Sequence, residues 1–303
     1  MDQIIPGPGI LSIGIAAHGN VDITVECLKS LFASVAGDFE LLLIDDASPD
    51  GMLSLFREAA EFHPNTRIFH FPENLEYTQS VNCLLSEATG ERILFVSNDI
   101  LITPTYLAAL LEATADPGID IARGVSNFVD NLLETHNVAA DAPIASWEQL
   151  CEFSARQYFE AATSLPDDPF LVGDAFMVTR KLLDTIGSFD TCYQGYLSDV
   201  DFGIRATAAG YRRVYCPRAF ARHIQDANFH YLDKAQMEQK YARRLERIAK
   251  AWAVFRANWG SGQLPSSWPG TMAIPFAQLE EQARRNGARV VAPGSYARYL
   301  IAT

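Results

Sequence analysis

Four apolar runs alternate with stretches of helical period across the first 115 residues, and that alternation leaves few architectures open. The runs cover residues 10–16, 39–44, 67–71 and 91–97. Each is short and bounded by glycine or polar residues, so each reads as a strand. After the first, Val25, Leu28, Leu31, Phe32 and Val35 recur near helical spacing and stop before Gly37. A helix starting near Ser48 or Asp50 follows the second run. Another runs through Leu85 to a stop at Gly90, and Pro104 favours the first turn of one reaching Ala115. Three βα units and a fourth strand join most simply as an α/β fold with a right-handed, mostly parallel, twisted sheet between helices.

Open sheets of this kind place ligands at the carboxyl ends of their strands. The first run delivers Ala17-His18-Gly19-Asn20 to that edge, the second Asp45-Asp46-Ala47-Ser48, and the fourth Ser97-Asn98-Asp99. If the first two strands are neighbours, Asp45 and Asp46 lie beside Ala17 to Gly19. A carboxylate such as Asp99 suits Mg²⁺ or Mn²⁺, ions commonly held by one or two carboxylates plus substrate phosphates. The edge therefore reads as a metal and diphosphate site. A dinucleotide-binding fold would need Gly-x-Gly-x-x-Gly after the first strand, and residues 17–26 contain one glycine. A nucleotidyltransferase would need a glycine-rich basic loop there, and residues 17–20 carry no Lys or Arg.

Beyond residue 118 the pattern is less regular. Residues 119–123 suggest a fifth strand, 147–159 a helix, and 170–178 a strand interrupted by Gly173, where either a bulge or a close approach of the backbone to a ligand is expected. Residues 193–205 lead into a helix, and 211–215 and 219–224 read as two strand pieces around Pro217, the second holding His223. Residues 233–259 are helical, and the last forty, with four prolines, should wrap the surface. The expected division is 1–230, with halves 1–118 and 119–230, followed by an extension over 231–303.

The net charge of −13 argues against nucleic acid as a partner. Residues 234–256 run against it, with seven Lys/Arg and two Glu. That basic helix is either a solvated face or a peripheral contact with anionic lipid. The five cysteines form no Cys-x-x-Cys pair, which points to reduced thiols, a cytoplasmic setting and no zinc site. No apolar run approaches the length that spans a bilayer.

Taken together, several segments resemble the family 2 glycosyltransferases, enzymes of GT-A fold, and within them the rhamnosyltransferase-like group. They are Ser12-Ile-Gly-Ile-Ala-Ala-His-Gly, Leu43-Ile-Asp-Asp-Ala-Ser, Glu73-Asn-Leu, Gly90-Glu-Arg-Ile-Leu-Phe-Val-Ser-Asn-Asp, Gly173-Asp-Ala-Phe-Met-Val-Thr-Arg-Lys, Gly187-Ser-Phe-Asp, Ser198-Asp-Val-Asp-Phe-Gly-Ile-Arg, Ala209-Gly-Tyr and His223. The resemblance implies an inverting, metal-dependent transfer of one sugar from a nucleotide diphosphate donor, UDP first and TDP or GDP next, in cell-surface glycan or glycoconjugate synthesis. Ala17, Gly19, Asp45, Asp46 and Asn74 would border the nucleoside, with Asp45 accepting from the base and Asp46 supporting the loop or ribose. Ser97 and Asn98 would lie near ribose and phosphate, Asp99 and His223 would bind Mn²⁺ or Mg²⁺, and Asp199 would be the general base. Gly173 and Asp174 would meet the donor sugar or the acceptor, which would be a glycan, a lipid-linked sugar or a protein.

Departures accompany the matches. Ser97 stands at the first position of the family's Asp-x-Asp, Ser198 where a Glu often precedes the base, and Glu76 where a glycine is frequent after Asn-Leu. No Gln-x-x-Arg-Trp follows, which sets processive synthases aside. The two serines keep open a non-catalytic sugar-nucleotide sensor or glycan-binding subunit on the same fold. Asp201 and Arg205, four apart, read as a helical ion pair. Tyr193, Tyr196 and Trp147 either line an acceptor pocket or belong to the core, and His18 and His70 receive no chemistry.

Overall fold

The computed structural model describes residues 2–7, 9–129, 134–140, 144–224, 233–260 and 262–301. In chain order the elements are β1 (Leu11–Ala17), α1 (Val21–Ser34), β2 (Glu40–Asp45), α2 (Met52–Phe62), β3 (Thr66–His70), α3 (Glu76–Glu87), β4 (Arg92–Ser97), β5 (Ile100–Leu101) and α4 (Pro104–Ala115). There follow β6 (Ile119–Ser126), α5 (Trp147–Glu160), β7 (Ala175–Thr179), α6 (Arg180–Ile186), α7 (Ser198–Ala208), β8 (Arg212–His223), α8 (Lys234–Trp259), α9 (Phe276–Asn286) and β9 (Leu300–Ile301).

The sheet order is β5-β8-β6-β7-β4-β1-β2-β3-β9. Strands β3, β2, β1 and β4 are parallel to one another, as the βα alternation requires. All six residues of β2 are buried, the pattern of a strand covered on both faces. The register sets Ala17 opposite Asp45, Asp45 opposite His70 and Ala16 opposite Ser97, so the polar strand ends line up along one edge. Successive strands run outward from β1 in opposite directions, which opens a crevice at that edge.

The second half is mixed. Strand β7 enters antiparallel between β4 and β6, and β6 pairs parallel with β8. Residues 170–174, expected in the strand, precede β7 as irregular chain that ends in a turn at 173–174. The two strand pieces expected around Pro217 are one strand, because the β6–β8 register jumps from Arg123–Tyr215 to Val125–Phe220. Pro217 falls in that bulge, where its missing N–H costs no ladder bond. A two-residue antiparallel ladder sets Ile100 against His223.

The tail packs α9 on α7 and adds β9 to the outer side of β3. The expected boundary at 230/231 lies outside the described residues. One core cluster takes residues from both sides of it, with Leu197, Val200 and Ile204 of the earlier segment against Trp252, Phe255, Trp259 and Leu279.

Candidate functional site

The loop after β1 is clipped to the loop after β2. Asp46 N–H donates to the Ala17 carbonyl (2.9 Å) and Gly19 N–H, at φ +73°, donates to Ser48 Oγ (2.9 Å). Asn98 Nδ2 ties the end of β4 to the same loop through Thr24 Oγ1 (2.8 Å) and the Gly19 carbonyl (3.3 Å). Ala17, Gly19, Asp45, Asp46, Ser97 and Asn98 thus converge as the sequence leads one to expect.

The two aspartates differ in role. Asp46 accepts from Leu75 N–H (2.6 Å) and Glu76 N–H (2.9 Å), which fixes the entry to α3. Burial pushes its carboxyl above the ordinary value, against the pull of those two bonds. Asn74 Oδ1 accepts from the same Glu76 N–H (2.9 Å), so it acts on the loop. Asp45 is 1 % exposed, with Oδ1 accepting from Ser48 N–H (2.9 Å) and Oδ2 lying 2.9 Å from His70 Nδ1. His70, a residue without an expected role, is therefore the partner that orients Asp45, and His18 Nδ1 lies 2.6 Å from the Asp46 carbonyl.

Asp99 and His223, 124 positions apart, meet through the β5–β8 ladder. His223 Nε2 is 3.3 Å from Asp99 Oδ2, and Ile224 N–H donates to the Asp99 carbonyl (2.8 Å). His223 Nδ1 faces the Phe128 carbonyl (3.1 Å), which aims Nε2 at Asp99. Burial lowers the pKa of His223, but its hydrogen bond and attraction to Asp99 outweigh that and raise it overall. One carboxylate oxygen and one imidazole nitrogen, both partly exposed and oriented from behind, fit a divalent ion that draws its other ligands from phosphate and water. Among the described residues no third His, Cys, Asp or Glu joins them.

Asp199 lies in the first turn of α7. Its Oδ1 accepts from Val200 N–H and its Oδ2 from Gly173 N–H, each at 2.9 Å. Burial raises its carboxyl to about 6, with the nearby Asp174 charge adding to the rise and the backbone N–H bonds opposing it. Space at Gly173 is taken by protein groups. A side chain there would collide with the Tyr77 hydroxyl, which donates to the Gly173 carbonyl (2.9 Å). Ser198, in the position where an acidic residue is frequent, is fully buried and accepts from Thr78 Oγ1 (3.0 Å).

Asp174, expected to meet a sugar hydroxyl, is engaged by protein groups in this structure. Arg123 Nη2 lies 2.9 and 3.2 Å from its two oxygens, and Ala175 N–H donates to Oδ1 (2.8 Å). The Asp174 carbonyl accepts from Ser97 N–H (2.9 Å), so residues 173–174 link the Asp199 side of the site to the Asp99 side. Behind Arg123, Nη1 is 3.0 Å from His136 Nδ1, and His136 Nε2 is 3.3 Å from Asp168. Sequence reasoning passed over Arg123, whose one signal is an arginine inside an otherwise apolar strand.

The remaining aromatic and acidic residues sort by burial. Tyr193 is core and donates to Asp201 Oδ1 (3.2 Å), Trp147 packs in a separate cluster with Val125 and Phe220, and Tyr196 borders the groove at Asp199. Asp201 pairs with Arg205 (2.8 Å) as its spacing implies, and also receives Trp259 Nε1 (3.0 Å) and Arg289 (2.8 Å). Glu76, at φ +70°, pairs with Arg247 of α8.

Residues 12–187 match the family profile of Glycosyl transferase family 2. An uncharacterized protein of Sinorhizobium fredii is 20% identical over 261 residues, 81% of this chain and 28% of its own length. The N-acetylglucosaminyl-diphospho-decaprenol L-rhamnosyltransferase of Mycobacterium tuberculosis is 26% identical over 220 residues, 65% of this chain and 70% of its own. A mannosyltransferase from Pyrobaculum calidifontis, solved in complex with GDP-Man and Mn²⁺, superposes at TM-score 0.57 with 18% identity, covering 90% of this chain and 68% of that one. The chain spans about a third or less of the length of the first curated relatives that it matches. The structural likeness confirms the GT-A fold expected from the sequence.

Proposed function

Because this chain belongs to glycosyl transferase family 2, we propose that it moves a single sugar from a nucleotide diphosphate donor to an acceptor hydroxyl with inversion at the anomeric carbon. The observation that carries the proposal is the joining of two unlike half-sites through residues 173–174: the Asp99–His223 pair on one side, and a carboxyl raised to about 6 on the other. A divalent ion at Asp99 and His223 would supply Lewis-acid charge for the leaving diphosphate. Asp199 takes the proton of the acceptor hydroxyl as its oxygen bonds to the anomeric carbon. The bond from that carbon to the diphosphate oxygen breaks, and its electron pair leaves with the nucleotide. A base near pH 7 combines availability with driving force, which a carboxyl at about 6 provides.

Asp45, Asp46 and Asn74 shape the nucleoside wall, with Asp45 facing the base and Ser97 and Asn98 near ribose and phosphate. UDP is the first donor to test, as the commonest in the family, with TDP and GDP next. We assign transfer to residues 1–230, with 231–303 as an extension, and place the reaction in cell-surface glycan or glycoconjugate synthesis. Among the described residues no helix is long and apolar enough to cross a membrane.

A calorimetric screen of nucleotide sugars with Mn²⁺, followed by transfer assays, tests the proposal. Asp199→Asn should keep donor affinity within about threefold while transfer falls by a factor of roughly 10² to 10⁴. Full turnover in that variant removes Asp199 as base. Donor binding without hydrolysis or transfer would favour the sensor reading, which the buried Ser198 keeps in view.

A further inference from the structure

Strand order sets where a bound nucleotide would lie. Strands β4, β1, β2 and β3 stand side by side, so the ends of β4 and β3 are three strand spacings apart, about 14 Å. With its diphosphate at Asp99, just beyond β4, an extended nucleotide crosses the end of β1 and brings its base to the ends of β2 and β3. The side chains there are Asp45 and His70, opposite one another in the register. Asp45 is poorly placed to touch a base. Its carboxylate is buried and both oxygens are engaged, Oδ1 by Ser48 N–H and Oδ2 by His70 Nδ1. His70 is the open member of the pair, with 38% of its side chain exposed against 2% for Asp45. Because Nδ1 faces the buried carboxylate, the exposed part of the ring is the side that bears Nε2. The same bond sets the chemistry of the ring. A carboxylate only accepts, so Nδ1 carries the proton, and in the neutral imidazole Nε2 is left with a lone pair. No described residue donates to that nitrogen.

We propose that His70 Nε2 reads the base of the donor by accepting its ring N–H, with Asp45 behind it as the group that fixes the tautomer. The proposal rests on the nucleotide site above and refines its wall, since the contact with the base passes from Asp45 to His70. Uracil and thymine carry such a donor at N3 and guanine at N1. Cytosine and adenine have a lone pair at the matching ring nitrogen. A lone pair set against a lone pair makes no bond and strips both nitrogens of water, which costs free energy. The donor class that His70 selects is therefore a uridine, thymidine or guanosine diphosphate sugar, and cytidine and adenosine diphosphates are rejected.

Calorimetric titration of the full chain with UDP, TDP, GDP, CDP and ADP at saturating Mn²⁺ is the test. At least one of the first three should bind about tenfold or more tighter than CDP and ADP, the cost of one lost hydrogen bond with its nitrogen left unpaired. Methylation of the ring N–H, as N3-methyl-UDP or N1-methyl-GDP, should remove that advantage in the wild type. His70→Asn keeps an amide N–H where Nδ1 was and withdraws the acceptor. It should bind the preferred diphosphate about tenfold more weakly, no better than CDP, with an unchanged urea midpoint. His70→Gln sets an amide oxygen near the place of Nε2 and should recover at least threefold over His70→Asn. Equal binding of all five diphosphates, a preference for CDP or ADP, or undiminished binding of the methylated ligand overturns the proposal, and each is read in the wild type, without any variant having to fold. An intact preference in His70→Asn also overturns it and returns the reading of the base to Asp45. Failure of every diphosphate to bind would instead remove the nucleotide site itself, a result distinct from binding without discrimination.

Discussion

Two backbone N–H groups hold the Asp199 carboxylate in place while burial works against its charge, and the balance leaves it near 6. A base acts only when unprotonated. Transfer efficiency, kcat/KM, should therefore fall about tenfold per unit as pH drops below 6 and level off above it, in assays at saturating Mn²⁺. An efficiency flat from pH 5 to 8 would contradict the assignment. At the other half-site, Asp99→Ala should abolish the Mn²⁺ dependence of donor affinity, because it removes the only charged ligand of the pair. His223→Ala should shift the metal titration to higher concentration, and isothermal titration reads both. The placement of Asp45, Asp46 and Asp99 along one edge was legible from residue type at a strand end. What was not legible was occupancy. Asp45 already has Ser48 and His70, and Asp174 has Arg123, and nothing local in the sequence announces partners that lie 25 or 51 positions away.

Among the elements, β6 and β7 meet where Arg123 and Asp174 pair beneath the site. Arg123 is 2% exposed, so Arg123→Met leaves the Asp174 carboxylate without its compensating charge. Loss of about 3–5 kcal/mol is expected by urea unfolding, the usual cost of breaking a buried pair from one side. Arg123→Met combined with Asp174→Asn should recover at least half of that loss, since removing both charges costs less than stranding one. The parallel strands were readable as short apolar runs, and Pro104–Ala115 was readable from its proline. The insertion of β7 between β4 and β6 was not readable, because strand order depends on contacts between distant segments. Pro217 misled the reading of β8 for a physical reason, since a bulge lets a strand carry a proline without ending.

The molecule as a whole is held by a junction at Asp201. Four groups from three stretches converge on its carboxylate: Arg205 and Tyr193 close by, Trp259 at the end of α8, and Arg289 in the tail. Asp201→Ala should strand Arg205, which is fully buried, and destabilise by about 3–5 kcal/mol in denaturant unfolding without changing the pH midpoint of transfer. The sequence disclosed the helical pair through its spacing of four but not the tail that closes over it. Strand β9 completes the closure by covering the outer edge of β3, an edge that would otherwise be open to pairing with another chain.

The two-residue ladder that sets Ile100 against His223 can form only late in the making of the chain. A ribosome delivering the chain from its amino terminus would present Asp99 long before His223 exists, and the first four parallel strands could assemble in that interval. Neither the imidazole nor the strand that carries it would yet be there. A nascent chain could align the ends of β1, β2 and β4 early, yet it would lack the Asp99–His223 pair until more than two thirds of these 303 residues had been made. The Asp99–His223 pair therefore joins the earliest strands to one of the last, and its geometry is a late product of the chain's assembly.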